Sequence, residues 1–210
     1  MIISYHGLES FKIQFGDIVI AYNPISKDSK LKSIKYGADI ALIASNHPDF
    51  NGSEMAERGE KMPFVVAGPG EYEIKEVFIK GFQSSTEYSG NPALNTIYTL
   101  SLEGMNLCFL GPQSSTELSH EVKEGMEEEI DILFVPIGGE GVLDPAEAYK
   151  LAVSLEPKII IPMHWEKKET LKTFLKEGGE DSLEALDKLT IKKKDLEGKE
   201  GDIIILNSQA

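Results

Sequence analysis

ALIASNHPDFNG, residues 41–52, decides how the rest of the chain is read. Its first part is short and almost wholly apolar, as in a strand buried on both faces. Its second part is a loop that carries His47 and Asp49. A buried strand that delivers imidazole and carboxylate groups to its end is one way to build a site for zinc or a similar divalent ion. The plainer reading is a tight turn around Pro48, in which His47 and Asp49 hydrogen-bond and cap backbone groups.

On either side of this stretch the pattern is β-rich and runs twice. SFKIQFGDIVIAYNP (10–24) alternates apolar and polar residues and predicts a hairpin turning at Gly16. NTIYTLSLEGMNLCFLGP (95–112) predicts a second hairpin, turning at Gly104, and IDILFVPIGGEG (130–141) a second buried strand. Gly16 and Gly104 lie 88 positions apart, as do Pro24 and Pro112, and Asp39 lies 92 before Asp131. Two related halves are therefore expected, with residues 11–45 superposing on 95–137. Packed face to face with helices on both outer sides, they would bury both sheets. Between them, PFVVAGPGEYEIKEVFIKGF (63–82) supplies two or three further strands.

Helices are expected in HEVKEGMEEEID (120–131) and VLDPAEAYKLAVSLEP (142–157). In the second, Asp144 is the N-cap, Pro145 the first helical residue and Pro157 the stop. KIIIPMHW (158–165) enters another buried strand that ends at His164. Residues 166–188 predict two short polar helices, KEGGEDSLEALD (176–187) presenting an acidic face, and GDIIIL (201–206) a last strand.

The chain has 210 residues, 41% of them hydrophobic, which suits one domain over 1–210 with an ordinary core. A formal charge of −14 argues against nucleic acid or an anionic membrane bound through a basic face. The single cysteine, Cys108, permits no intrachain disulfide and sits in an apolar run. With no apolar stretch of bilayer length and no signal-like start, a cytoplasmic location is expected.

YHGLESFKIQFGDIVIAYNP, ALIASNHPDFNG, AGPGEYEIKEVFIKG, NTIYTLSLEGMNLCFLG, DILFVPIGG and EPKIIIPMHW follow one another in an order that resembles the metallo-β-lactamase superfamily, in its short bacterial hydrolase-like branch. The resemblance covers residues 1–165 and the final strand. It implies a four-layer αβ/βα sandwich of two related halves, holding one or two zinc ions whose bound water attacks the substrate. Active members carry H-x-H-x-D-H, then a later His, a later Asp and a final His. Aligned on that pattern with a one-residue gap, His47 and Asp49 match, Phe50 replaces a ligand and Asn46 stands near the first position. An ungapped alignment places His47 at the first His, Asp49 at the second and Asn51 at the Asp. Further on, Phe109 replaces His and Pro112 replaces Asp, Leu8 takes the place of an early His with His6 displaced, and His164 matches the final His.

The resemblance thus leaves His47, Asp49 and His164 as residual metal ligands, divided between the two metal positions. The expectation is a hydrolase-like protein with an incomplete site, zinc at low occupancy or none, and hydrolysis weak or lost. A small-molecule ligand in the former cleft fits this reading. The alternative is an active mono-zinc hydrolase of an ester, phosphodiester or lactam, with His47, Asp49 and His164 as ligands, Asp49 as the catalytic group and His6 able to move in as a fourth donor. In the degenerate case Phe50 and Phe109 should pack near each other in the old metal cavity, with Leu8 lining it.

Overall fold

The computed structural model describes residues 1–126 and 129–210. The chain begins with β1 (Ile2–Tyr5), β2 (Phe11–Phe15), β3 (Ile18–Tyr22), β4 (Ile40–Leu42), β5 (Phe64–Val66), β6 (Gly70–Ile74), β7 (Val77–Thr86), β8 (Ala93–Leu102) and β9 (Met105–Phe109). It continues through α1 (His120–Gly125), β10 (Ile132–Pro136), α2 (Pro145–Ser154), β11 (Ile159–Met163), α3 (Lys168–Glu177), β12 (Leu189–Thr190) and β13 (Asp202–Ile203). Among the described residues no helix is long and apolar enough to cross a membrane.

The strands form two mixed sheets. One runs β12-β1-β2-β3-β4-β5 and the other β13-β11-β10-β9-β8-β7-β6. The alternating hairpins pair antiparallel, whereas the apolar strands β4, β10 and β11 pair in parallel, as their covering on both faces requires. Between the sheets lies the main core, in which Phe109 stacks on Tyr22 at 4.1 Å and on Phe134 at 4.0 Å. Each such fully buried ring contributes roughly 1.5–3 kcal/mol.

The two halves repeat a specific hydrogen-bond device. Asp39, just before β4, accepts the Val19 N–H at 3.0 Å and donates its own N–H to the Val19 carbonyl at 2.7 Å. Asp131, just before β10, does the same with Asn106, at 2.9 Å in both directions. Burial alone would raise both carboxyls. Hydrogen bonds from Lys75 to Asp39, and from Lys193 and Lys158 to Asp131, together with those backbone donors, hold them below the ordinary range.

The outer layers differ from the expected symmetry. On the second sheet, α1 packs against β7 and α2 against β10, with α3 beside α2. They bury Val122, Leu151 and Phe174 with the sheet's outward Ile97, Leu133 and Val135. On the first sheet the outward side chains are small: Val19, Ala21 and Ala41, with Ala38, Ala56 and Tyr36 packed against them. That shallow surface is covered by coil and one 3-10 turn, Ser53–Ala56, instead of α-helix. Tyr36 and Ala38 donate to the carbonyls of Met55 and Ala56, both at 2.9 Å, and so hold the coil down.

The Asp144 cap holds as read, its carboxylate accepting the Glu147 N–H at 2.9 Å. Two short helices over 166–188 are not formed. Only α3 is, and it stops at Gly178 and Gly179; the φ of +74° at Gly179 suits glycine, and Glu180 donates its N–H to the Leu175 carbonyl. From there to residue 188 the chain is coil with a single bridge from Leu186 to Leu206. The acidic helix at 120–131 is realised as α1; Glu127 and Glu128 fall outside the described residues.

Candidate functional site

Three chain segments meet at one end of the sandwich. The loop after β4 folds on itself, Phe50 and Asn51 donating to the His47 carbonyl at 2.8 and 3.0 Å. It is clamped to the segment after β3 by Gly52 N–H to Pro24 (2.7 Å) and Ser26 N–H to Pro48 (2.8 Å). Glycine is required there, since a Cβ on Gly52 would lie 2.3 Å from the Ser26 nitrogen. His164, directly after β11, adopts φ +57° and donates its N–H to the Leu8 carbonyl at 2.5 Å. Leu8 and Asn23 also sit at positive φ, +51° and +41°. Such strain in non-glycine residues gathers where the surrounding structure over-determines it, commonly at functional sites.

Two hydrogen-bonded groups face each other across this end. In the first, His164 Nδ1 lies 2.7 Å from Glu9 Oε1, and Glu9 Oε2 accepts from Asn23 Nδ2 at 3.0 Å. Asn23 Oδ1 in turn accepts the Ala44 N–H at 2.8 Å. Glu9 is fully buried, and desolvation raises its pKa against the opposing pull of His164 and Asn23. In the second group, the Ser29 hydroxyl donates to Asp49 Oδ1 and the Tyr88 hydroxyl to Asp49 Oδ2, the latter at 2.6 Å. His47 Nδ1 accepts the Asp49 N–H at 3.2 Å and lies 3.5 Å from Asp49 Oδ2.

Tyr88 stands between the two. It comes from the tip of the β7–β8 hairpin, and its ring centroid lies 4.9 Å from Phe50, 5.1 Å from His47 and 5.2 Å from His164. Desolvation, then the Asp49 carboxylate, raise its pKa well above the ordinary tyrosine range. Beside it opens a cleft of about 130 Å³ lined by Leu8, Tyr88, Gly138, His164, Lys167 and Thr170.

His47, Asp49, Phe50 and His164 are thus gathered around one tyrosine, and Leu8 lines the neighbouring cleft. Phe109 is not with them. Its ring belongs to the core between the sheets and contacts Tyr22, Phe134 and Phe11, so the expected Phe50–Phe109 pairing is not made. The reason is positional: Phe109 is the last residue of β9 and points between the sheets, whereas Phe50 lies on a loop beyond a strand end. His6 is buried against Tyr36 at 4.7 Å, with both ring nitrogens unpartnered, and His120 lies on the exposed face of α1.

The donor set as arranged does not fit a zinc ion. Both Asp49 oxygens accept hydroxyls, Tyr88 packs against both imidazoles, and Phe50 offers no lone pair. Among the described residues no three His, Cys, Asp or Glu are grouped so as to hold a metal. Glu9, Ser29 and Tyr88 were not singled out from sequence. A buried glutamate next to a positive-φ Leu8 and a tyrosine at a hairpin tip both look like surface residues when only neighbours in sequence are known.

Two mixed sheets packed face to face, with a His–Asp loop and a strand-end His at one end, define a metallo-β-lactamase-type α/β sandwich. A family profile described as beta-lactamase superfamily domain matches residues 2–164, and the chain belongs to that superfamily. It is 27% identical over 199 residues to a UPF0173 metal-dependent hydrolase of Lysinibacillus sphaericus, covering 79% of this chain and 85% of the relative. The crystal structure of a Thermotoga maritima member of the metallo-β-lactamase superfamily matches with a TM-score of 0.76 at 26% identity, over 99% of both chains. An isothiocyanate hydrolase from Delia radicum gut bacteria shares the fold, with a TM-score of 0.64 at 12% identity over 91% of this chain and 100% of that one.

Proposed function

We propose that this chain is a metallo-β-lactamase-fold relative of metal-dependent hydrolases in which metal-assisted hydrolysis is weak or lost. The observation that carries this reading is the position of Tyr88, whose hydroxyl holds Asp49 Oδ2 while its ring packs against both His47 and His164. A catalytic zinc needs about three protein ligands converging on one point with a fourth position open to water. Here each oxygen of the one carboxylate already accepts a hydroxyl, and an aromatic ring lies against both imidazoles. The cleft beside Tyr88, at about 130 Å³, suits a ligand of a few heavy atoms, well below the several hundred Å³ of ordinary ligand pockets.

A second reading, the mono-zinc hydrolase, draws on one observation. The Glu9 carboxylate fixes His164 through Nδ1, as carboxylates commonly do for imidazoles that bind metal through the other nitrogen. Metal analysis of protein purified without chelator separates the two. Less than one zinc per chain, with ester, phosphodiester and lactam hydrolysis at background, is expected. Stoichiometric zinc that survives dialysis, is lost in His47→Ala or His164→Ala, and supports chelator-sensitive turnover would establish the second reading.

A further inference from the structure

The sequence places the obstacle to metal binding in missing ligands. The geometry adds another. His47 uses Nδ1 to accept the Asp49 N–H, and His164 uses Nδ1 toward Glu9, so the Nε2 atoms of both rings remain uncommitted. Asp49 Oδ1 is taken by Ser29, but Oδ2 is engaged by Tyr88 and by the edge of His47. The same phenol that takes Oδ2 lies edge-on to both imidazoles, with interplanar angles of 87° to His47 and 74° to His164. One side chain therefore contacts Asp49 and both imidazole rings.

We propose that Tyr88 is an internal competitor for a divalent cation: its ring and hydroxyl occupy the position where His47, Asp49 and His164 would otherwise meet. The proposal rests on the metal-poor reading above and names its cause. Two imidazole nitrogens and one carboxylate oxygen form a donor set that zinc and cobalt(II) accept. The supporting contacts are already made, since Glu9 orients His164 and Ser29 orients Asp49. Tyr88 is carried outside the strands of both sheets. It lies in the 3-10 turn Tyr88–Gly90 that joins β7 to β8, where Ser89 sits at φ +65° and Gly90 at +81°. A site whose competent form is populated only when the phenol leaves has its apparent affinity reduced by that population.

Cobalt(II) alone is the probe. Its visible d–d absorption reports coordination, and quenching of Trp165, the only tryptophan and the neighbour of His164, reports location. The wild-type chain should bind weakly. Tyr88→Ala should bind one cobalt per chain at least about tenfold more tightly, by the population argument. Tyr88→Leu, which keeps apolar bulk against Phe50 but falls short of Asp49, serves the same purpose if the alanine variant does not fold. Adding His164→Ala to either should return binding to the wild-type level. Folded Tyr88→Ala or Tyr88→Leu protein that binds cobalt no better than wild type would overturn the proposal, as would tight binding that survives His164→Ala. Neither result would restore hydrolysis to the wild-type chain. That reading falls only if the wild-type protein itself holds stoichiometric zinc.

Discussion

At the scale of single residues, the site is held by a few buried polar groups with no spare partners. His164→Ala would leave Glu9 Oε1 buried without its hydrogen-bond partner, and unmet buried polar groups cost about 1–3 kcal/mol. Urea unfolding should show a loss of that size, and Asn23→Ala a similar one, because Glu9 Oε2 and the Ala44 N–H both lose their partner. His6 carries a pH dependence of opposite origin. Burial first, and Lys12 second, lower its pKa from 6.5 to about 4. Above pH 6.5 the ring is neutral folded or unfolded and contributes no difference. As pH falls from 6.5 through 4 the unfolded chain takes up the proton first, so stability declines across that window. His6→Phe should flatten the unfolding midpoint over the same range. Of these residues, His47, Asp49 and His164 were legible because each follows a strand signal. Glu9 was not, because its importance comes from a contact 155 positions away.

At the scale of elements, the strands and hairpins were legible wherever one physical rule dominated. Alternation fixed the turns at Gly16 and Gly104, and the Asp-Pro start and Pro stop fixed α2. Asp144→Ala should cost about 1 kcal/mol by leaving the Glu147 N–H uncapped. The misreadings arose where composition alone was the guide. Acidic polar sequence suits an exposed helix and an exposed coil equally, so residues after Gly179 gave no local signal against a second helix. The outer cover of the first sheet was missed because its inward alanines look like weak helix-face residues in one dimension. The paired aspartates were read only as a spacing. Asp131→Ala should cost about 1–3 kcal/mol in thermal or denaturant unfolding, since the Asn106 N–H and Lys193 lose their acceptor and Lys158 keeps only Glu129. An equal loss in Asp39→Ala would show that the duplication is energetic as well as topological.

At the scale of the whole molecule, the sandwich was legible through the order of six segments, and the family assignment follows the same order. The contact of Tyr88 with the His–Asp loop was not, because the tyrosine arrives from a hairpin tip whose sequence, TEYSGNPA, reads only as a turn. The tie from Ser29 through Asp49 to Tyr88 joins a loop of the first sheet to the second through hydrogen bonds. On the metal-poor reading proposed above, excess chelator should leave the melting temperature unchanged, a test made in one pair of calorimetric scans. The partner of β1 carries a further consequence. Ile2 and Ile3 pair with Thr190 and Leu189, and Tyr5 bridges to Ser208. During synthesis β1 must therefore wait, with one flank unpaired, until residues 189–190 have been made. An edge left open over so long a stretch of chain is exposed to wrong pairing until β12 closes it.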